Sequence, residues 1–98
     1  MNIAKTLEDK KLTISIDGRL DTSTAPELDE ELKASLDGIE ELVMDFTGME
    51  YISSAGLRVL LSAQKAMNAQ GEMIVTGANN TVMEIFDITG FTDILTIR

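Results

Sequence analysis

Cysteine and histidine are both missing from this 98-residue sequence. Without cysteine there is no disulfide and no thiol chemistry, an absence that fits a reducing, cytoplasmic setting. Without histidine the commonest general base and metal ligand is gone. No apolar run approaches the ~18 residues that a membrane-crossing helix needs, and the opening Met1-Asn2-Ile3-Ala4-Lys5 has no signal-peptide core. There is no P-loop, no G-x-G-x-x-G and no zinc-ligand spacing. Basic residues are scarce as well, 8 against 17 acidic ones, for a net charge of −9. A surface of that sign repels nucleic acid and anionic lipid and suits a basic protein partner. The expectation is a cytoplasmic, soluble chain with no membrane insertion and no direct contact with nucleic acid.

What remains reads as one small domain over residues 1–98. A hydrophobic content of 44% and a charged content of 26% are ordinary for a globular protein, and the length allows one core and little more. Ile3 to Leu7 is a weakly patterned edge strand, followed by the charged turn Glu8-Asp9-Lys10-Lys11. Leu12-Thr13-Ile14-Ser15-Ile16-Asp17 alternates apolar and polar as a half-buried strand does, and Gly18 closes it. Arg19 to Ser23 is a polar connection. Thr24-Ala25-Pro26-Glu27 has the form of a capping box with proline in the first turn. Ala25, Leu28, Leu32 and Leu36 then mark one buried helix face, with Gly38 as its terminator.

Leu42 to Phe46 is short and mostly apolar, as a deeply buried central strand tends to be. Thr47 to Glu50 leads into a helix whose Leu57, Leu60, Leu61, Ala63 and Met67 share a face, and which stops near Gly71. Glu72 to Thr76 is a strand parallel to Leu42–Phe46, since strand, helix, strand in this order makes a right-handed crossover. Thr81-Val82-Met83-Glu84 repeats the capping-box pattern, Thr89-Gly90 breaks that helix, and Ile94 to Ile97 makes the last strand. The fold class is α/β, ordered β-β-α-β-α-β-α-β, a mixed β-sheet with helices mainly on one face.

The chemistry-bearing stretch is Ser53-Ser54-Ala55-Gly56. Two hydroxyls stand at a helix start, where free N–H groups and the positive end of the dipole favour a phosphate. By default such serines are helix caps. Gly56 in the first helical turn costs roughly 0.5–1 kcal/mol against alanine. Either close packing on the sheet or the approach of a partner to Ser54 accounts for it. Nucleophilic catalysis at either serine lacks a base with a motif around it, since only Lys65 and carboxylates are at hand. Asp17, Asp21 and Asp45 are isolated acids at strand ends, more in keeping with solvated groups than with a magnesium site, and the methionines read as core filling. No catalytic, metal or cofactor site is expected.

Tyr51-Ile52-Ser53-Ser54-Ala55-Gly56-Leu57-Arg58-Val59-Leu60-Leu61 resembles the signature of the STAS domain, shared by anti-sigma factor antagonists and sulfate transporters. Gly18-Arg19-Leu20-Asp21 followed by Thr24-Ala25-Pro26 resembles the family's Gly-Glu-Leu-Asp segment before its first helix. Ile85-Phe86-Asp87-Ile88-Thr89-Gly90-Phe91 resembles its Leu-Phe-Asp-Ile-Thr-Gly-Leu segment near the end. The resemblance runs along essentially the whole chain.

It implies an anti-sigma factor antagonist in a partner-switching pathway. The unphosphorylated form would bind an anti-sigma factor that is also a serine kinase, freeing the sigma factor; phosphorylation would release it, and a PPM-type phosphatase would reset it. Aligned on Gly56-Leu57, the modified serine is Ser54, and Asp21 matches the family's acidic residue close to it. The family aspartate before that serine is replaced by Ser53, and the second hydroxyl by Ala55, which removes a carboxylate able to orient the acceptor or recruit a cation. The implied contact set is Asp21, Thr22, Ser23, Ser53, Gly56 and Arg58, with Arg58 one turn beyond Ser54 on the same helix face. The alternatives are a STAS subunit that binds without phosphorylation inside a lipid-transport or stress-signalling assembly, and a small-ligand or nucleotide sensor.

Overall fold

The computed structural model describes residues 1–98. Its elements are β1 (Asn2–Glu8), β2 (Lys11–Leu20), α1 (Ala25–Ser35), β3 (Glu41–Asp45), β4 (Met49–Ile52), α2 (Ser54–Asn68), β5 (Glu72–Thr76), α3 (Asn80–Thr89), a short 3-10 turn (Phe91–Asp93) and β6 (Thr96–Ile97). The sheet runs β1-β2-β3-β5-β6, with β4 beside the far end of β2. Only β1 and β2 are antiparallel; β3 lies parallel to β2 and to β5. The expected pairing of the third strand with the Glu72–Thr76 strand is therefore present, register Leu42↔Met73 and Met44↔Val75.

The alternation of each strand sets the layers. Leu12, Ile14, Ile16, Leu42, Met44, Met73 and Val75 all turn to one side and are buried there with helix residues Leu28, Leu32, Leu60, Met67, Val82 and Phe86. Twenty-four buried residues form this one core. The opposite face carries Thr13, Ser15, Val43 and Asp45, all half-buried. Helices on one face follow from that asymmetry. Leu42–Phe46 takes the expected central place in the sheet, but it alternates as β2 does rather than being more deeply buried, because no helix covers Val43 and Asp45.

Four further local readings are corrected. Gly18 does not end β2. It takes φ +98°, a left-handed conformation that glycine adopts without strain, and the register of β2 against β4 shifts between Gly18 and Arg19. The strand bends there and goes on to Leu20, which is fully buried. Second, Met49–Ile52 is not a lead-in but strand β4, parallel to Gly18–Leu20. Third, the helix caps differ. Thr24 precedes α1 without capping it through its side chain, Leu36 rather than a residue beside Gly38 ends that helix, and α3 is capped by Asn79 rather than Thr81. Fourth, Ile94 and Leu95 belong to the turn after α3, and β6 has only Thr96 and Ile97.

Candidate functional site

β2 and β4 run parallel and end level, so the residues that follow them meet. Arg19 pairs with Tyr51 and Leu20 with Ile52. The next step along both chains is locked by a hydrogen bond from the Ser53 N–H to the Leu20 carbonyl, 2.8 Å. Asp21 and Ser53, 32 positions apart in sequence, thus lie side by side at the carboxyl ends of two parallel strands. Open α/β sheets build their sites at such an edge.

Ser53 has extended backbone (φ −97°, ψ 175°), and its hydroxyl accepts from the Gly56 N–H at 3.4 Å. It is the N-cap of α2, as expected of a serine here. Ser54 is therefore relieved of capping. It is the first helical residue and is exposed, and the N–H groups of Ser54 and Ala55 have no carbonyl in the chain to bond. Gly56 is buried. A Cβ placed on it would stand 2.8 Å from both Ile52 Cγ1 and Leu20 Cγ. Packing of α2 on the strand ends accounts for this glycine, which faces the core; of the implied contact set, it is the one residue that offers no outer surface.

The Asp21-Thr22-Ser23-Thr24 turn is built around one carboxylate. Asp21 Oδ1 accepts from the Ser23 N–H (3.0 Å), the Ser23 hydroxyl (3.1 Å) and the Thr24 N–H (3.2 Å). The Thr24 hydroxyl, unused as a helix cap, accepts from the Asp21 N–H at 2.9 Å and donates to the Arg19 carbonyl at 2.8 Å. This Asx turn replaces the expected capping box. Partial desolvation pushes the Asp21 pKa up, but the Ser23 hydroxyl, the Thr24 and Ser23 N–H groups and the nearby Thr24 hydroxyl outweigh it, and the carboxyl titrates below its ordinary range. Asp21 is thus a fixed anion beside Ser53.

Arg19 and Tyr51 complete the edge, and sequence reasoning missed both. The Arg19 guanidinium lies 4.5 Å from the centre of the Tyr51 ring, and its Nε is 3.9 Å from Asp21 Oδ2. The signal was available only through β4, which places Tyr51 opposite Arg19. On the helix side, Thr22, Pro26, Asp29, Ala55, Arg58 and Val59 line a shallow groove between α1 and α2. Arg58 and Thr22 are therefore brought together, while Ser23 is turned toward Asp21. Asn79, the α3 cap, ties the far side of the site, donating to the Met49 carbonyl at 3.0 Å.

The model of the STAS domain matches residues 2–98. An anti-sigma-B factor antagonist of Staphylococcus aureus is 30% identical over 100 residues, spanning all of this chain and 93% of that protein. A Bordetella bronchiseptica protein named as an anti-sigma factor antagonist, BtrV, is 37% identical over 91 residues, 91% of this chain and 78% of its own length. Among solved structures, the anti-sigma factor antagonist SpoIIAA resembles the chain in two forms. The unphosphorylated form has TM-score 0.77 at 13% identity, covering 99% of this chain and 87% of that one. The phosphorylated form, from Bacillus, has TM-score 0.77 at 14% identity, covering 99% and 91%. At that identity the likeness is one of fold. No helix is long and apolar enough to cross a membrane.

Proposed function

The chain belongs to the STAS domain family, and on that premise we propose that it is a cytoplasmic anti-sigma factor antagonist that acts by binding rather than by catalysis. Unphosphorylated, it binds an anti-sigma factor that is also a serine kinase; phosphorylation of Ser54 ends the complex, and a PPM-type phosphatase restores it. The observation that carries this reading is the division of labour between the two serines. Ser53 caps α2, so the exposed Ser54 hydroxyl is free to be modified without loss of a structural hydrogen bond. The names of the S. aureus and B. bronchiseptica relatives support the anti-sigma factor antagonist part of this reading.

The contact surface comprises Ser54, the Asp21-Thr22-Ser23 turn, Ser53 and Arg58. A phosphate on Ser54 meets the outward N–H groups of the first turn and the positive end of the α2 dipole, so the fold accommodates it. A partner that buries the Ser54 hydroxyl would instead have to strip water from a group carrying about −1.5 to −2 charge. The switch therefore works on the surface rather than on the fold.

The test is incubation of the purified chain with the anti-sigma kinase of the native organism and ATP, followed by mass spectrometry. Phosphate on Ser54 alone is the expected result. Phosphate on Ser53, or on neither serine, removes the assignment and leaves a module that binds without modification, as in the transport or scaffold assemblies.

A further inference from the structure

The net charge of −9 hides a local reversal. Of the eight basic side chains, six lie within 4.0 Å of a carboxylate, from Lys5–Glu31 at 2.6 Å to Lys11–Glu41 at 4.0 Å. The two with no such partner are Arg58 and Lys65. Both are on α2 and both are exposed. Seven residues apart, they are two turns apart on one face, roughly 10 Å along the axis. Ser54 lies one turn before Arg58 and Ser62 one turn after it, both exposed on the same ridge. The helix carries no Asp or Glu, and the run from Tyr51 to Gly71 is free of acids for 21 residues in a chain with 17 of them. Asp29, across the groove from Arg58, is engaged by Lys33 at 2.8 Å and leaves Arg58 unpaired.

We propose that this ridge of α2, from Ser54 to Lys65, docks an acidic segment of the protein partner, and that phosphate on Ser54 closes the dock by taking up Arg58 from within the same helix. An incoming carboxylate finds two cations with no carboxylate of the chain within 4.0 Å of either. The α2 dipole adds positive potential at the Ser54 end. A nucleic acid or an anionic bilayer is a poorer occupant. Either would extend over the neighbouring outer face of α1, where Glu27 and Glu30 are exposed, and would meet the repulsion of the whole molecule. A narrow protein segment touches the ridge alone. Phosphate four residues before Arg58 brings about −1.5 to −2 charge to a ridge of two cations, which cancels most of its potential. The docking half stands without the phosphorylation reading; the switching half rests on it.

The experiment is a titration of the 15N-labelled, unphosphorylated chain with a glutamate-rich peptide at low salt, beside a lysine-rich control peptide and phosphatidylserine vesicles. The expected result is a set of amide shifts concentrated in residues 54–66 with the glutamate peptide, reversed by about 0.3 M salt. Affinity should fall roughly tenfold in the double variant Arg58→Glu with Lys65→Glu, and severalfold in Ser54→Asp. Both cations are exposed, so the variants should keep the spectrum of the native fold. Absence of shifts in α2, or shifts that persist in the double variant, overturns the proposal. Binding to the vesicles through the same residues overturns it too, in favour of a lipid surface. Neither ATP nor kinase enters this titration, so its failure leaves Ser54 labelling untouched, and a failure of labelling leaves the dock standing.

Discussion

The Ser53 N–H donates to the Leu20 carbonyl at 2.8 Å, and that bond sets the serine pair beside Asp21. Neither residue reads as functional by itself: Leu20 is a fully buried core side chain and Ser53 a helix cap. Together they fix the distance between the turn after β2 and the start of α2, and the candidate site is the surface that results.

The two serines should separate stability from signalling. Ser53→Ala removes the α2 cap and should cost about 1 kcal/mol, toward the lower end of the usual range because its hydrogen bond is long at 3.4 Å. Ser54→Ala should leave the urea midpoint unchanged while abolishing phosphate incorporation.

Ser54→Asp should stay folded, with a melting temperature equal to or slightly above the parent, since an anion at a helix N-terminus contributes about 0.3–1 kcal/mol. Its affinity for the anti-sigma kinase, read by calorimetry, should fall more than a hundredfold, the equivalent of about 3 kcal/mol. Unaltered affinity would show that the partner does not bury this position.

Gly56→Ala distinguishes packing from partner approach. The added methyl meets Ile52 and Leu20 at 2.8 Å, near the stems of both side chains. Overpacking of this kind costs about 1–3 kcal/mol and outweighs the gain in helix propensity. A net loss of about 1–2 kcal/mol in denaturant unfolding is expected. A neutral or stabilised variant would return the glycine to the partner surface.

Acid should reveal the two anchored carboxylates. Asp21 is held below its ordinary range as described, and Asp45 likewise, by the Thr47 hydroxyl at 2.6 Å and the Thr47 N–H at 3.0 Å first, against desolvation, with the Ser15 hydroxyl adding to them. Because the folded values lie below the unfolded ones, the unfolded chain takes up protons first. Their contribution is complete above about pH 4 and drains away as pH falls through the folded values. Urea midpoints for Asp21→Asn and Asp45→Asn should converge on the parent at low pH and separate from it above about pH 4.

Much of this was legible from side-chain patterns. The alternation of Leu12–Ile16 gave the buried face of β2, the apolar spacing in 54–68 gave α2, and the serines announced its start. β4 was not legible. Met49-Glu50-Tyr51-Ile52 has only four residues, and its partner is the extension of β2 past Gly18, a residue that reads locally as a terminator. With β4 unseen, the Arg19–Tyr51 stack was invisible as well. The capping boxes misled for a related reason. Thr24 and Thr81 carry the right spacing, but Asp21 and Asn79 reach the free N–H groups around those helix starts first, and Asn79 also secures Met49. Tertiary hydrogen bonds decided between two locally adequate caps.

The single antiparallel pair in the sheet bears on the order in which the molecule assembles. β1 and β2 are joined by a two-residue turn and can zip early, as hairpins do within microseconds. Every other pairing waits for a crossover, and the pairing of β4 with β2 must first enclose all of α1 and β3. Such non-local closures are slow. The neighbourhood of Asp21 and Ser53 should therefore form after the β1–β2 hairpin, and a chain that has not yet paired β4 with β2 presents Ser54 without it. An enzyme that recognises the serine together with the Asp21 turn would act only on molecules that have finished folding.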